Sequence, residues 1–418
     1  MVLEIRISNF FSIKDEIVLD FRAANLKSHN AKTLQENVFE FNNSSILKTV
    51  TIYGANASGK SNILRAIRFC HTLVFNSHLN NENTVYNFQP FKFNGFENKP
   101  SSYSIRFVTN GIEYLYSFTL TRNKIVRESL HYYPKGRIKE VFTRDERLGK
   151  AKKEKYSFGD QIKRPMDVAE NTSDKTLYIS RASQMDRDIA KDIFNFFHNS
   201  FVFDYMLFGQ SAIETLTAQY KNQVLEALKI ADSDIVDLKI KVLKKPGKNY
   251  NADLDALTVT VTDVVQNALE ISTYHRNSPG VAFDFLTEES QGTIKLFFIM
   301  LTILYVIKNN KVLLIDEIED SLHPKIIEYI FNIFKTGTGA QLICTTHNTS
   351  SLNLKKFRKD QIYFANKKSD GSTDLYSLYD YNDFRDTMDV EKAYLQGRFD
   401  AVPYLDDSSI KLKALLND

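Results

Sequence analysis

Cysteine is almost absent from this chain of 418 residues, with only Cys70 and Cys344 present. Two are too few for a disulfide framework or a zinc site, and each falls in an apolar element, so both read as small buried hydrophobes. Long apolar runs are lacking as well. The longest, Leu296–Ile307, falls short of the roughly 20 residues that a membrane helix needs and suits a buried helix. The opening Met1-Val-Leu-Glu-Ile-Arg6 alternates like a strand and has no signal-peptide layout. The expectation is a soluble, cytoplasmic protein with no membrane partner. Charge of one sign is scarce, since 54 Lys/Arg against 51 Asp/Glu leave a net +3. No nucleic-acid or membrane preference follows from that balance. There is no internal repeat, and no heptad run long enough for a coiled-coil arm.

What is present begins at residues 54–61, Gly-Ala-Asn-Ala-Ser-Gly-Lys-Ser. They fit G-x-x-x-x-G-K-[ST], the loop whose backbone N–H groups wrap a nucleotide's phosphates. Thr49–Tyr53 ahead of it suits a buried strand, and Ile63, Leu64 and Ile67 behind it have helical spacing. Strand, glycine-rich turn and helix are the context the motif requires. Gly54, Asn56, Ser58, Gly59, Lys60, Ser61 and Asn62 are therefore the candidate nucleotide contacts. Lys60 would reach the terminal phosphates, Ser61 would place its hydroxyl on Mg²⁺, and the helix N-terminus attracts anions. ATP and Mg²⁺ are the cofactors implied.

Along the chain, Leu3–Ser8 and Glu16–Phe21 alternate as strands. Tyr103, Ile105 and Phe107 alternate up to Asn110-Gly111, and Ile112, Tyr114, Tyr116 and Phe118 alternate after it, the strongest short hairpin signal. Ile125–Tyr133 extends this into an antiparallel meander. Residues 145–175 are polar and lysine-rich and read as a loop, helical patterns fill 186–231, and Asp237–Leu243 and Leu257–Val261 read as strands. Between Arg122 and Arg164 stand 14 Lys/Arg against 6 Asp/Glu, and a second basic run covers Lys239–Lys248. Either run could meet phosphate backbones, making DNA a candidate partner, although a solvated face explains each run as well. The 31 Phe and 21 Tyr fall mostly on apolar faces, which speaks for core packing over base stacking. The organisation expected is a head begun by 1–95, a β-arm with basic loop at 96–180, an insertion at 181–280, and the head completed by 281–418.

The second half of the site is Lys311-Val-Leu-Leu-Ile-Asp316-Glu317, an apolar strand ending in two carboxylates. Asp316 suits Mg²⁺, and Glu317 suits orienting or deprotonating the attacking water. Ala340–His347 is another buried strand, ending in Thr-Thr-His, where His347 would sense or polarise the terminal phosphate and its water. Gln89, in Asn87-Phe-Gln-Pro-Phe, is a further metal candidate, though its surroundings read equally as a turn. Thr287-Glu-Glu-Ser290-Gln-Gly292 opens the apolar helix, a start suited to gripping an anion.

That last segment resembles the signature motif of ABC-type ATPases, with Ser290 and Gly292 at its Ser and second Gly, Gln291 in place of the first Gly and Glu289 in place of the Leu. The order of motifs, with Asp316 a short way after Gly292, and the opening Ile5-Arg-Ile-Ser-Asn-Phe10 resemble the ATPases of the SMC/RecF kind. The resemblance implies an α/β fold: a P-loop ABC-type ATPase head with an antiparallel β-arm and an inserted helical lid. It also implies a homodimer or higher assembly in which Ser290 and Gly292 of one copy cap ATP held by the other. Asp316–Pro324, Thr345-Thr-His-Asn348, Asp360–Phe364 and Lys392–Phe399 look like the RloA/AbiL-like AAA-family ATPases, relatives of OLD-family proteins associated with phage defence. Phe399-Asp400 stands where that group usually has Tyr-Gly. OLD proteins carry a Toprim nuclease, for which the stretch after His347 leaves no room, so the resemblance implies a separate effector, a Toprim/RloB-like nuclease or a toxin. Two alternatives stay open: a nucleotide-dependent scaffold that holds an effector inactive with little turnover, and a RecF/SMC-like DNA-repair clamp.

Overall fold

The run Thr49–Tyr53 is buried at every position, as a strand covered on both faces must be. In the computed structural model it lies in a mostly parallel sheet, between Gln341–Thr346 and Ile362–Lys367. Val312–Ile315 pairs parallel to Gln341–Thr346, and Thr373–Ser377 adds antiparallel beyond Ile362–Lys367. The parallel strands share one direction. The segments that follow Tyr53, Ile315, Thr346 and Lys367 therefore emerge at one end of the sheet, where open α/β sheets place their ligands.

The structure describes residues 1–25, 34–205, 208–231, 234–253, 258–381 and 388–402, and their side chains except at 231, 247–253, 258–261 and 266. The chain divides into two compact units. One comprises Met1–Phe201, Asn310–Ile318 and Phe331–Asp418, the other Val202–Asn309 and Glu319–Ile330.

The first unit holds the parallel sheet and a seven-stranded antiparallel one. The latter runs in the order Tyr156–Phe158, Lys139–Asp145, Ile125–Tyr132, Ile112–Leu120, Ser101–Thr109, Val2–Ser8, Ile17–Asp20. Asn110 and Gly111 both take positive φ, as the hairpin turn demands. The expected meander is thus the middle of a larger sheet, because Ile5 and Ile7 come into register with Ile105 and Tyr103. Its apolar face packs on the helix Asp188–Ser200, with the Phe107 and Phe196 rings 4.1 Å apart. The Gln341 amide joins the two sheets: it accepts from Val2 N–H at 2.7 Å and donates to the Val2 and Leu47 carbonyls.

The polar segment 145–175 is more ordered than a loop, holding the helices Lys152–Lys155 and Pro165–Glu170 and the strand Tyr156–Phe158. Ion pairs make this possible. Fully buried Arg144 meets Glu146 at 2.8 Å, Lys155 meets the same carboxylate, and Arg147 and Arg127 share Asp145. Arg127, Arg144, Arg147 and Lys155, four of the 14 basic residues of that run, are thereby paired locally.

In the second unit the helices Gln210–Ala231 and Gln291–Lys308 pack together. Gln291–Lys308 is long and apolar enough to cross a membrane by composition, yet 67% of it is buried inside the fold. The two short strands expected near 237–261 belong to one long ribbon, Ile235–Asp253 paired with Thr258–His275, while Leu257 lies outside the described residues. Of the helical stretch 186–231, the structure shows Asp188–Ser200 and Gln210–Ala231, separated by the short strand Phe201–Phe203; residues 206–207 lie outside the description.

Candidate functional site

The phosphate loop leaves its strand at Gly54 and enters the helix Lys60–Asn76, whose buried face is Ile63, Leu64, Ala66, Ile67, Cys70, Leu73 and Val74. Two glycines are dictated by space. A Cβ at Gly54 would lie 2.4 Å from the Ala365 carbonyl oxygen. At Gly59, φ is +102° and a Cβ would lie 1.9 Å from Thr373 Oγ1. The loop is clamped from outside. Thr373 Oγ1 donates to the Ser58 carbonyl at 2.9 Å and lies 2.7 Å from Ser12 Oγ, which accepts from Asn62 Nδ2 at 2.8 Å. Ser58 Oγ itself is buried without a hydrogen-bond partner.

Lys60 is buried, and its Nζ donates to the carbonyls of Gly54 at 2.9 Å and Ala55 at 3.1 Å. It also lies 3.0 Å from His347 Nε2. An ammonium only donates, so Nε2 is the acceptor in that contact. The parallel sheet explains the meeting, since it seats the strand ending before His347 directly beside the phosphate-loop strand.

A cleft of about 500 Å³ opens here, and Asn56, Gly59, Lys60, Ser61 and Asn62 line it together with Glu317 and His347. Ser12, Lys367 and Gly371 also line it, and none of the three is marked by a motif. Glu317 reaches the cleft at φ +48°. Its backbone N–H donates to Thr345 Oγ1 at 2.8 Å, and the same hydroxyl donates in a short bond to Asp316 Oδ1. One buried threonine thus fixes both members of the carboxylate pair. Its signal in the sequence was only the polar end of an apolar strand.

Other candidates lie elsewhere. Asp316 stands beside the cleft, held by Thr345, while Gly54 and Ser58 form the loop's buried base. The exposed Gln89 is not among the cleft's lining residues, and its carbonyl accepts from Phe11 N–H at 2.7 Å. Ser290 and Gly292 are in the second unit. There Ser290 Oγ caps its own helix by accepting from Thr293 N–H at 3.1 Å, and a Cβ at Gly292 would come 3.0 Å from the Ser321 carbonyl oxygen. Glu289, in the leucine position of the signature, is engaged by Thr273 and by His275 at 2.9 Å. Among the described residues no group of three or more His, Cys, Asp and Glu side chains makes a metal cluster.

No curated protein matches the chain. Among solved structures it is similar to an SMC head bound to the C-winged helix domain of ScpA, at 14% identity and a TM-score of 0.39, covering 94% of this chain and 99% of that one. It is also similar to the SMC head domain from Thermotoga maritima, at 13% identity and a TM-score of 0.37, covering 90% and 98%. A family model described as "AAA domain, putative AbiEii toxin, Type IV TA system" matches residues 50–353, more than half the chain and all of the loop, carboxylate pair and histidine. The chain belongs to this family of AAA-domain proteins.

Proposed function

We propose that the chain binds ATP with Mg²⁺ in this cleft, hydrolyses it, and uses the cycle to switch a separate effector in a bacterial anti-phage system. The observation that carries the catalytic part is the cleft itself, where a clamped phosphate loop faces Glu317 and His347. The donor set fits a hard cation: the Ser61 hydroxyl at the helix start and the Asp316 carboxylate are oxygen ligands of the kind Mg²⁺ takes. When bound, Mg²⁺ would neutralise charge on the phosphates. Lys60 would donate to phosphate oxygens, and His347, whose Nε2 lies 3.0 Å from Lys60 Nζ on the same cleft, would be placed to polarise the terminal phosphate. Glu317, one residue beyond the metal-side carboxylate, aligns and deprotonates the water.

The regulatory part is supported by the family description, which names a toxin of a toxin–antitoxin system, and by the RloA/AbiL-like residues of the last third. In this reading ATP closes two copies, Ser290 and Gly292 of each capping nucleotide held by the other. The effector, a Toprim/RloB-like nuclease or a toxin, binds one state better than the other, without which closure would switch nothing. The test is co-expression with the neighbouring gene product. Protection against phage should need both chains and should vanish with Lys60→Ala. Robust metal-dependent DNA cleavage by the purified single chain, surviving Lys60→Ala, would contradict it.

A further inference from the structure

The long ribbon of the second unit has two edges of opposite character. Its first strand, Ile235–Asp253, carries Lys239, Lys241, Lys244, Lys245, Lys248 and Pro246. Lysines and proline are what natural sheets use to blunt an edge. The hydrogen bonding agrees. Val242 N–H is taken by Glu214 Oε1 at 3.3 Å, so it points away from the second strand. No register shift separates 242 from 246, so position 246 faces outward too, and Pro246 has no N–H to offer there.

The second strand is built differently. Residues 258–270, Thr-Val-Thr-Val-Thr-Asp-Val-Val-Gln-Asn-Ala-Leu-Glu, contain no Lys, Arg, Pro or Gly, and seven of them are β-branched. Ser278–Asp284 covers this strand's outer edge only at Ser272, Thr273 and His275. Among the described residues no strand pairs with that edge over 258–271. Since Val242 pairs with Leu269 and Pro246 with Val265, the odd-numbered residues of the second strand turn their N–H and C=O groups to the open edge. Val265 is 73% exposed there. Alone, a two-stranded ribbon is marginal in water.

We propose that this open edge pairs antiparallel with the same edge of a second copy, joining two ribbons into a four-stranded sheet. A strand meeting itself about a two-fold axis is a self-complementary contact that closes. The blunted lysine edge then stops further addition, so the product is a dimer and not a filament. This contact needs no nucleotide and is separate from the ATP-dependent closure proposed above.

The full chain, free of nucleotide, should sediment at twice its 48.2 kDa mass, and Lys60→Ala should do the same. Val265→Pro removes an outward donor and leaves the bonds to the first strand in place. It should sediment as a single chain while keeping its circular dichroism spectrum and its ATP binding. Single cysteines placed in turn at 262–265 should form a disulfide-linked dimer most strongly at the position nearest the axis, with Cys70 and Cys344 silent because both are buried. A single-chain mass without nucleotide would overturn the proposal. So would a dimer that Val265→Pro leaves intact and that no cysteine cross-links, or a different protein found bound along this edge. ATP turnover is read separately, so its failure would not touch this result.

Discussion

Thr345 shows how much of the site rests on residues whose role no motif states. Its hydroxyl accepts from Glu317 N–H and donates to Asp316, so the carboxylate pair cannot keep its geometry without it. Removing a partner that orients a metal ligand typically costs about 10–100-fold in affinity or activity. Thr345→Val should lower kcat by roughly that factor, with metal-free ATP binding unchanged and Thr345→Ser largely restoring the rate. Gly59 makes the complementary point for space. Gly59→Ala drives a methyl into Thr373 at φ +102°. It should destabilise the fold by more than about 1 kcal/mol in chemical denaturation and abolish ATP binding. Gly54–Ser61, Asp316, Glu317 and His347 were legible because each follows a buried strand in a fixed pattern. Ser12, Thr345, Lys367 and Thr373 were not. Ser12 stands in a turn, and Lys367 and Thr373 lie on strands remote in the chain from the loop, while Thr345 shows in the sequence only as the polar end of an apolar strand.

At the scale of elements, the parallel strands and the Asn110-Gly111 hairpin announced themselves by periodicity and turn chemistry. The long ribbon did not, because lysines and a proline interrupt the alternation that identifies a strand, and only pairing with 258–275 reveals its length. The order within 145–175 was hidden for a related reason: a lysine-rich stretch looks solvated until buried Arg144 is seen to tie it down through Glu146, which also takes Lys155. Inside the first unit, His71 on the phosphate-loop helix touches the Phe197 and Phe201 rings and bonds the Phe197 carbonyl. Burial pushes its pKa from 6.5 down to about 4. The folded state then resists a proton that the unfolded state accepts. His71's contribution is present above pH 6.5 and is lost as pH falls towards 4, to a limit of about 3 kcal/mol. Denaturation midpoints should fall across that window, and the His71 ring should remain neutral at pH 5.5 by NMR. A protonated ring at that pH would contradict the burial argument.

For the whole molecule, the proposed closure puts two copies together over ATP at the signature-like helix start. Ser290→Arg should block hydrolysis while sparing ATP binding by the single chain. Because Ser290 caps its own helix, the substitution also costs about 1 kcal/mol of stability. Stability and turnover are therefore read separately: Ser290→Arg should lower the denaturation midpoint only slightly while hydrolysis is lost, and a loss of turnover that merely follows the unfolded fraction would point to helix capping alone.

In the proposed cycle Glu317 activates the water in a cleft that otherwise only binds. Steady-state Mg·ATP hydrolysis by Glu317→Gln, measured beside nucleotide retention after rapid filtration, tests it most directly. The expected result is turnover lost with ATP, not ADP, retained on the protein, since binding stays and only the chemical step is removed. Hydrolysis at the wild-type rate would contradict the account.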